Sequence, residues 1–102
     1  MHPLIDSKRA ELTELCRRHH VRRLELFGSA SSGRFKEESS DLDFLVDFQP
    51  LECVEHARSY FALKHAIEDL FQRPVDLVEL DAIRNPYFLK FIEPSRVLLY
   101  AA

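Results

Sequence analysis

Asp41 and Asp43 stand one residue apart at the head of the apolar run Leu42-Asp43-Phe44-Leu45-Val46. In a strand, side chains at i and i+2 share a face, so both carboxylates point the same way. Two like charges on one face of a half-buried strand repel, and a divalent cation between them removes the cost. Hard cations such as Mg²⁺ take oxygen ligands, commonly one or two carboxylates plus substrate phosphates. Upstream lies Leu26-Phe27-Gly28-Ser29. There a glycine lets the backbone approach a phosphate, and the Ser29 hydroxyl and nearby N–H groups can donate to it. Asp76 sits between Val75 and Leu77, where an isolated carboxylate is costly to bury and calls for a metal, a cation or a proton. If the strands that carry them are neighbours, Asp41, Asp43 and Asp76 can hold two metal ions for in-line displacement at phosphorus. Each piece alone has a plainer reading: an ordinary turn at Gly28-Ser29, an exposed strand end at Asp41-x-Asp43, an edge position open to water at Asp76.

The elements that must position these residues follow from periodicity and punctuation. A first helix is expected from about Ser7 to His19, capped by Asp6 or Ser7, with Leu12, Leu15 and Cys16 as a narrow apolar stripe. Val21 to Phe27 reads as a strand with Leu24 and Leu26 on one face. The loop 28–40 follows, and it contains both glycines of the chain, Gly28 and Gly33. Leu42 to Phe48 is the second strand, with Phe44, Val46 and Phe48 toward the core and Asp43, Leu45 and Asp47 on the other face. A long helix runs from about Leu51 to Gln72, on which Tyr60, Leu63, Ile67, Leu70 and Phe71 recur at steps of three and four. Val75 to Leu80 is a third strand, nearly continuous in apolar residues and therefore expected to be central. Asn85-Pro86 starts a short helix, Pro94 stops it, and Arg96 to Tyr100 forms a last strand or extended tail. The order is α-β-β-α-β-α-β. The first two strands are expected to be antiparallel neighbours, and the third to be reached by a helical crossover to a parallel neighbour.

At 102 residues, with 46% hydrophobic residues to fill a core, the chain reads as a single domain, residues 1–102. A net charge of -3 argues against direct, sequence-independent nucleic-acid binding, which needs a dense cationic face. The local basic cluster Arg17, Arg18, His19, His20, Arg22, Arg23 is either a solvated helix end and strand entry or a contact surface for an acidic partner or polyanion. Cys16 and Cys53 match no metal or redox spacing, and Cys16 lies at an apolar helical position, as a buried thiol would. With no signal peptide and no long apolar segment, the chain is expected to be cytoplasmic, with reduced thiols and no membrane partner. The five histidines show no zinc-ligand spacing.

Leu26-Phe27-Gly28-Ser29, then eleven residues, then Asp41-Leu42-Asp43, resembles the signature of the DNA polymerase β-like nucleotidyltransferase superfamily. Arg73-Pro74-Val75-Asp76-Leu77-Val78, with Ile83-Arg84-Asn85-Pro86-Tyr87-Phe88 through Val97-Leu98-Leu99-Tyr100, resembles its minimal nucleotidyltransferase (MNT) branch. The resemblance spans nearly the whole chain. It implies an α+β nucleotidyltransferase fold, a small mixed β-sheet flanked by helices. It implies ATP as co-substrate and two Mg²⁺ ions. By the resemblance, Asp41 and Asp43 bind both ions. Asp76 binds the catalytic ion and helps activate the acceptor hydroxyl, and Gly28, Ser29 and Gly33 cradle the triphosphate. Many relatives carry an arginine just before the second glycine of this loop. Here Arg34 follows Gly33, so Arg34 or Lys36 has to stand in for it. Members of this branch act as antitoxins to HEPN-type RNase toxins, in some cases by transferring AMP to a toxin tyrosine. The function implied is a protein adenylyltransferase and antitoxin of a type VII-like toxin–antitoxin pair. The alternatives are an antitoxin that neutralises by binding alone, or a nucleotidyltransferase acting on a small molecule or RNA end. A chain this small has no accessory domain to hold an acceptor, so the acceptor is expected on another molecule. Tyr87, Phe88 and Phe91, and the pair Tyr60-Phe61, are either core or the surface that meets it.

Overall fold

The computed structural model of the chain describes residues 3–28, 31 and 41–102. The elements are α1 (Pro3–Ser7), α2 (Arg9–Arg18), β1 (Val21–Phe27), β2 (Leu42–Phe48), α3 (Cys53–Phe71), β3 (Val75–Glu79), α4 (Pro86–Ile92) and β4 (Val97–Ala101). Short 3-10 turns at Leu80–Ala82 and Glu93–Ser95 flank α4.

The strands form one mixed sheet in the order β3-β2-β1-β4. β1 runs antiparallel to both β2 and β4, and β2 runs parallel to β3 across the α3 crossover. Alternation along the strands assigns each face. Leu42, Phe44, Val46 and Phe48 join Leu24, Leu26, Val75 and Leu77 in the main core, under Leu12 and Cys16 of α2 and Leu63, Ile67 and Phe71 of α3. The opposite face is covered too: Phe27 and Leu45 pack against Ile92 of α4, with Val78 and Phe88 beside them. Phe27 and Phe88 meet edge to face at 6.1 Å. α4 begins as its sequence requires, with the Asn85 side chain accepting the Tyr87 N–H at 2.9 Å and Pro86 in the first turn.

Two expectations are corrected. The helix expected from about Ser7 to His19 is α2, Arg9–Arg18; a separate short helix, α1, precedes it, and Lys8, not Asp6 or Ser7, stands at the N-cap of α2 without a side-chain cap. Ser7 instead donates its hydroxyl to the Leu4 carbonyl inside α1 at 3.0 Å, and Ile5 is fully buried, so the chain turns at Lys8 to seat it. The third strand lies at an edge of the sheet, not at its centre. Its apolar run arises because both faces are covered: Val75 and Leu77 face the main core, and Val78 packs in the cluster under α4.

The basic cluster meets acidic partners within the fold. Arg17 and Arg18 reach Glu14, Arg22 reaches Asp47 at 2.7 Å, and Arg23 reaches Glu25 at 3.0 Å. Cys16 is fully buried, and burial pushes its thiol pKa up to about 12, whereas Cys53 is exposed. A thiol-reactive dye under native conditions is therefore expected to titrate Cys53 at once and Cys16 only after denaturant is added. No helix among the described residues is long and apolar enough to cross a membrane.

Candidate functional site

The parallel register sets Asp43 of β2 directly beside Asp76 of β3, and the antiparallel register sets Phe27, the last residue of β1, on its other side. Neighbouring strands lie about 4.8 Å apart, so the two carboxylates leave adjacent strands on the same face, the one that carries α4. Asp41 precedes β2 by one residue and is exposed, as is Asp76; Asp43 is half-buried. The pKa of Asp43 is raised from 3.8 to about 6, first by burial, then by the charge of Asp76, then by that of Asp41. The fold thus collects three carboxylates at the end of the sheet where β2 and β3 begin.

Gly28 closes the site from the β1 side. Its φ is +78°, and a Cβ at this position would lie 2.4 Å from Asp43 Oδ2. Glycine is required here for two reasons, the left-handed backbone and the carboxylate that fills the place of a side chain. Its amide is not free: the Gly28 N–H donates to Ser95 Oγ at 3.0 Å. Ser29, Gly33, Arg34 and Lys36 lie outside the described residues. A Gly28→Ala protein is expected to lose about 1–2 kcal/mol of stability from backbone strain alone. Its Asp43 carboxylate must also move, so a denaturation curve should shift together with any activity of the site.

An open cavity of about 400 Å³ borders Asp43 and Gly28, walled by Phe88, Phe91, Pro94 and Ser95. Phe91 is 82% exposed and Tyr87, on the same short helix, 77% exposed, while Phe88 is partly buried against Phe27. In the other aromatic pair, Tyr60 is partly buried and donates its hydroxyl to the Leu77 carbonyl at 2.6 Å, and Phe61 is exposed. A second cavity, of about 460 Å³, opens at the opposite end of β2 among Arg22, Asp47, His56, Glu79 and Arg84, and holds none of the expected site residues.

Among the described residues, no three His, Cys, Asp or Glu side chains are drawn into a ready metal cage. The donor chemistry nevertheless fits a hard divalent cation. All three groups are carboxylates, and the two flanking charges raise the pKa of the central one, an interaction a cation would reverse.

Sequence reasoning missed the buried Glu25. It lies on the α4 face of β1, only 4% exposed, and Arg96 binds it through two hydrogen bonds of 2.9 Å each. These hydrogen bonds to Arg96, with a third from Arg23, hold its carboxyl below the usual carboxylate range despite burial. The available signal was a lone Glu between Leu24 and Leu26, which a two-sided strand must satisfy; its partner is visible only once β4 is laid beside β1.

Residues 9–99 match the family model described as a nucleotidyltransferase domain. A protein of Methanocaldococcus jannaschii named "Putative protein adenylyltransferase" is 34% identical over 96 residues, covering 86% of this chain and 94% of its own. A solved structure described as a "putative minimal nucleotidyltransferase" aligns with a TM-score of 0.70 at 32% identity, covering 91% of this chain and 90% of that one. In a solved complex of a tri-AMPylated Shewanella oneidensis HEPN toxin with an MNT antitoxin, the matched chain aligns with a TM-score of 0.64. At 18% identity, over 95% of this chain and 72% of that one, the likeness is one of fold.

Proposed function

Because the chain belongs to the nucleotidyltransferase domain family, we propose that it is an ATP- and Mg²⁺-dependent protein adenylyltransferase. In this reading it transfers AMP to a tyrosine hydroxyl of a HEPN-type toxin and so acts as its antitoxin. The observation that carries the reading is the register that pairs Asp43 with Asp76 beside the Gly28 turn. The names borne by the relatives, a protein adenylyltransferase and an antitoxin held with an AMPylated HEPN toxin, support the choice of acceptor.

Asp41, Asp43 and Asp76 would hold Mg²⁺, which supplies charge neutralisation at the phosphates and Lewis-acid polarisation of the phosphoryl group. The acceptor oxygen attacks the α-phosphorus of ATP. A P–O bond forms to the acceptor, the bond to the bridging oxygen of the β-phosphate breaks, and pyrophosphate leaves. Asp76 lies exposed on an edge strand, where a macromolecular acceptor can approach, and its carboxylate takes the hydroxyl proton. Asp43, half-buried between Phe27 and Asp76, keeps its orientation through the Gly28 turn. Ser29, Gly33 and Arg34 are the residues proposed for the triphosphate. The exposed Tyr87 and Phe91 beside the cavity suit an acceptor brought by a partner.

The test is the intact mass of the cognate toxin after incubation with this protein, ATP and Mg²⁺. Mass increments of whole AMP units support the reading; an unmodified toxin overturns it. One observation favours a second reading, an antitoxin that neutralises by contact alone: the Gly28 N–H is already engaged by Ser95. The Asp41→Ala, Asp43→Ala double variant separates the two, because a contact antitoxin still neutralises and an enzyme does not.

A further inference from the structure

The residues after α4 reach back to the site. Ser95 and Arg96, consecutive in the chain, grip β1 at two points: Ser95 Oγ accepts the Gly28 N–H at 3.0 Å, and Arg96 binds Glu25. A serine hydroxyl has one proton to give. Here it goes to the Ile92 carbonyl at 2.8 Å, which turns an oxygen lone pair toward Gly28. The same turn is tied a second time, because the Ser31 hydroxyl donates to the Ser95 carbonyl and also lies 3.2 Å from that of Gly28.

Asp43 Oδ2 occupies the space a Gly28 Cβ would take, so the carboxylate rests against the Gly28 turn. A displaced Gly28 backbone therefore alters the surface on which the Asp43 carboxylate is seated. Ser95 also borders the cavity next to Asp43, yet the one proton of its hydroxyl goes to Ile92, so it has none to donate to a nucleotide there.

We propose that Ser95 is a positioning residue for nucleotidyl transfer: its hydroxyl, oriented by the Ile92 carbonyl, fixes the Gly28 turn and through it the Asp43 carboxylate. It acts on the rate through the placement of Asp43 and not through binding of the nucleotide. Its kinetic arm rests on the reading of the chain as an active nucleotidyltransferase; its structural arm does not.

The test uses the full chain as wild type, Ser95→Ala and Ser95→Thr. The first readout is exchange of the Gly28 amide with deuterium, which is simple to assign because the chain has only two glycines. In Ser95→Ala that amide is expected to exchange about tenfold faster, with the rest of β1 and β2 unchanged. The second readout is steady-state transfer. A displaced Asp43 is expected to lower kcat by about tenfold to a hundredfold, while KM for the nucleotide changes far less. Ser95→Thr keeps the hydroxyl and is expected to restore both. A Gly28 amide equally protected in Ser95→Ala overturns the proposal. So does an unchanged kcat despite fast exchange, or loss of protection throughout β1 and β2, which would mark a merely structural role. If the wild type itself transfers nothing, the functional reading falls, and the amide exchange still decides whether Ser95 fixes the turn.

Discussion

Asp43→Asn is expected to lower AMP transfer by about a thousandfold and yet to make the metal-free protein more stable at neutral pH. The first half follows from position. Asp43 is the carboxylate flanked by both others, Asp41 on its own chain segment and Asp76 on the adjoining strand. Metal-borne charge stabilisation at a phosphoryl group amounts to several kcal/mol, and each 1.36 kcal/mol is a factor of about ten in rate. The second half follows from linkage. The folded pKa of about 6 lies above the ordinary 3.8, so the folded state binds this proton more tightly than the unfolded chain. The resulting stability is complete below 3.8 and is lost as the pH rises through 6. At neutral pH the free protein therefore carries a penalty on the order of 1 kcal/mol, after allowance for the partial exposure of the group. Asparagine removes that penalty. Melting curves without metal should show the variant above the wild type at neutral pH and level with it in acid. Added Mg²⁺ should raise the melting temperature of the wild type more than that of the variant. Full activity in Asp43→Asn would sink the mechanism, and a lowered melting temperature at neutral pH would sink the electrostatic account.

How far the sequence carried this site depends on distance along the chain. Asp41 and Asp43 were legible because a period of two is local, and Phe44, Val46 and Phe48 mark the buried face. Asp76 was legible because a carboxylate inside an apolar run demands a reason, and its pairing with Asp43 follows once α3 is read as a parallel crossover. Legibility failed where a second layer intervenes. α4 covers the face of Leu45 and Val78, so an edge strand looked central. The contact between Gly28 and Ser95 was hidden for a related reason, since the two lie 67 residues apart in the chain. The short helix α1 was likewise missed, since five residues show no helical period and nothing local shows that Ile5 must sit in the core.

The largest loss of stability is expected from Arg96→Ala, about 3 kcal/mol, because it leaves the Glu25 carboxylate buried with only Arg23 to pair with it among the described residues. Glu25 sits between β4 and the paired β2, on the face closed by α4, and cannot turn to water without opening the sheet. Arg96 also grips Glu93 at 2.9 Å, so the same substitution loosens the turn that carries Ser95. Replacing both partners, Glu25→Leu with Arg96→Met, removes the buried charge along with its counter-charge and is expected to restore most of the loss. The pH dependence has the opposite sign to that of Asp43. The folded pKa of Glu25 lies below the ordinary 4.5, so its stabilisation is present above 4.5 and disappears as the pH falls through the folded value. Chemical denaturation across that range should find the wild type losing stability in acid more steeply than Arg96→Ala. A loss below about 1 kcal/mol in the single variant, the value of an exposed pair, would mean that water reaches Glu25 and that β1 is not held by Arg96.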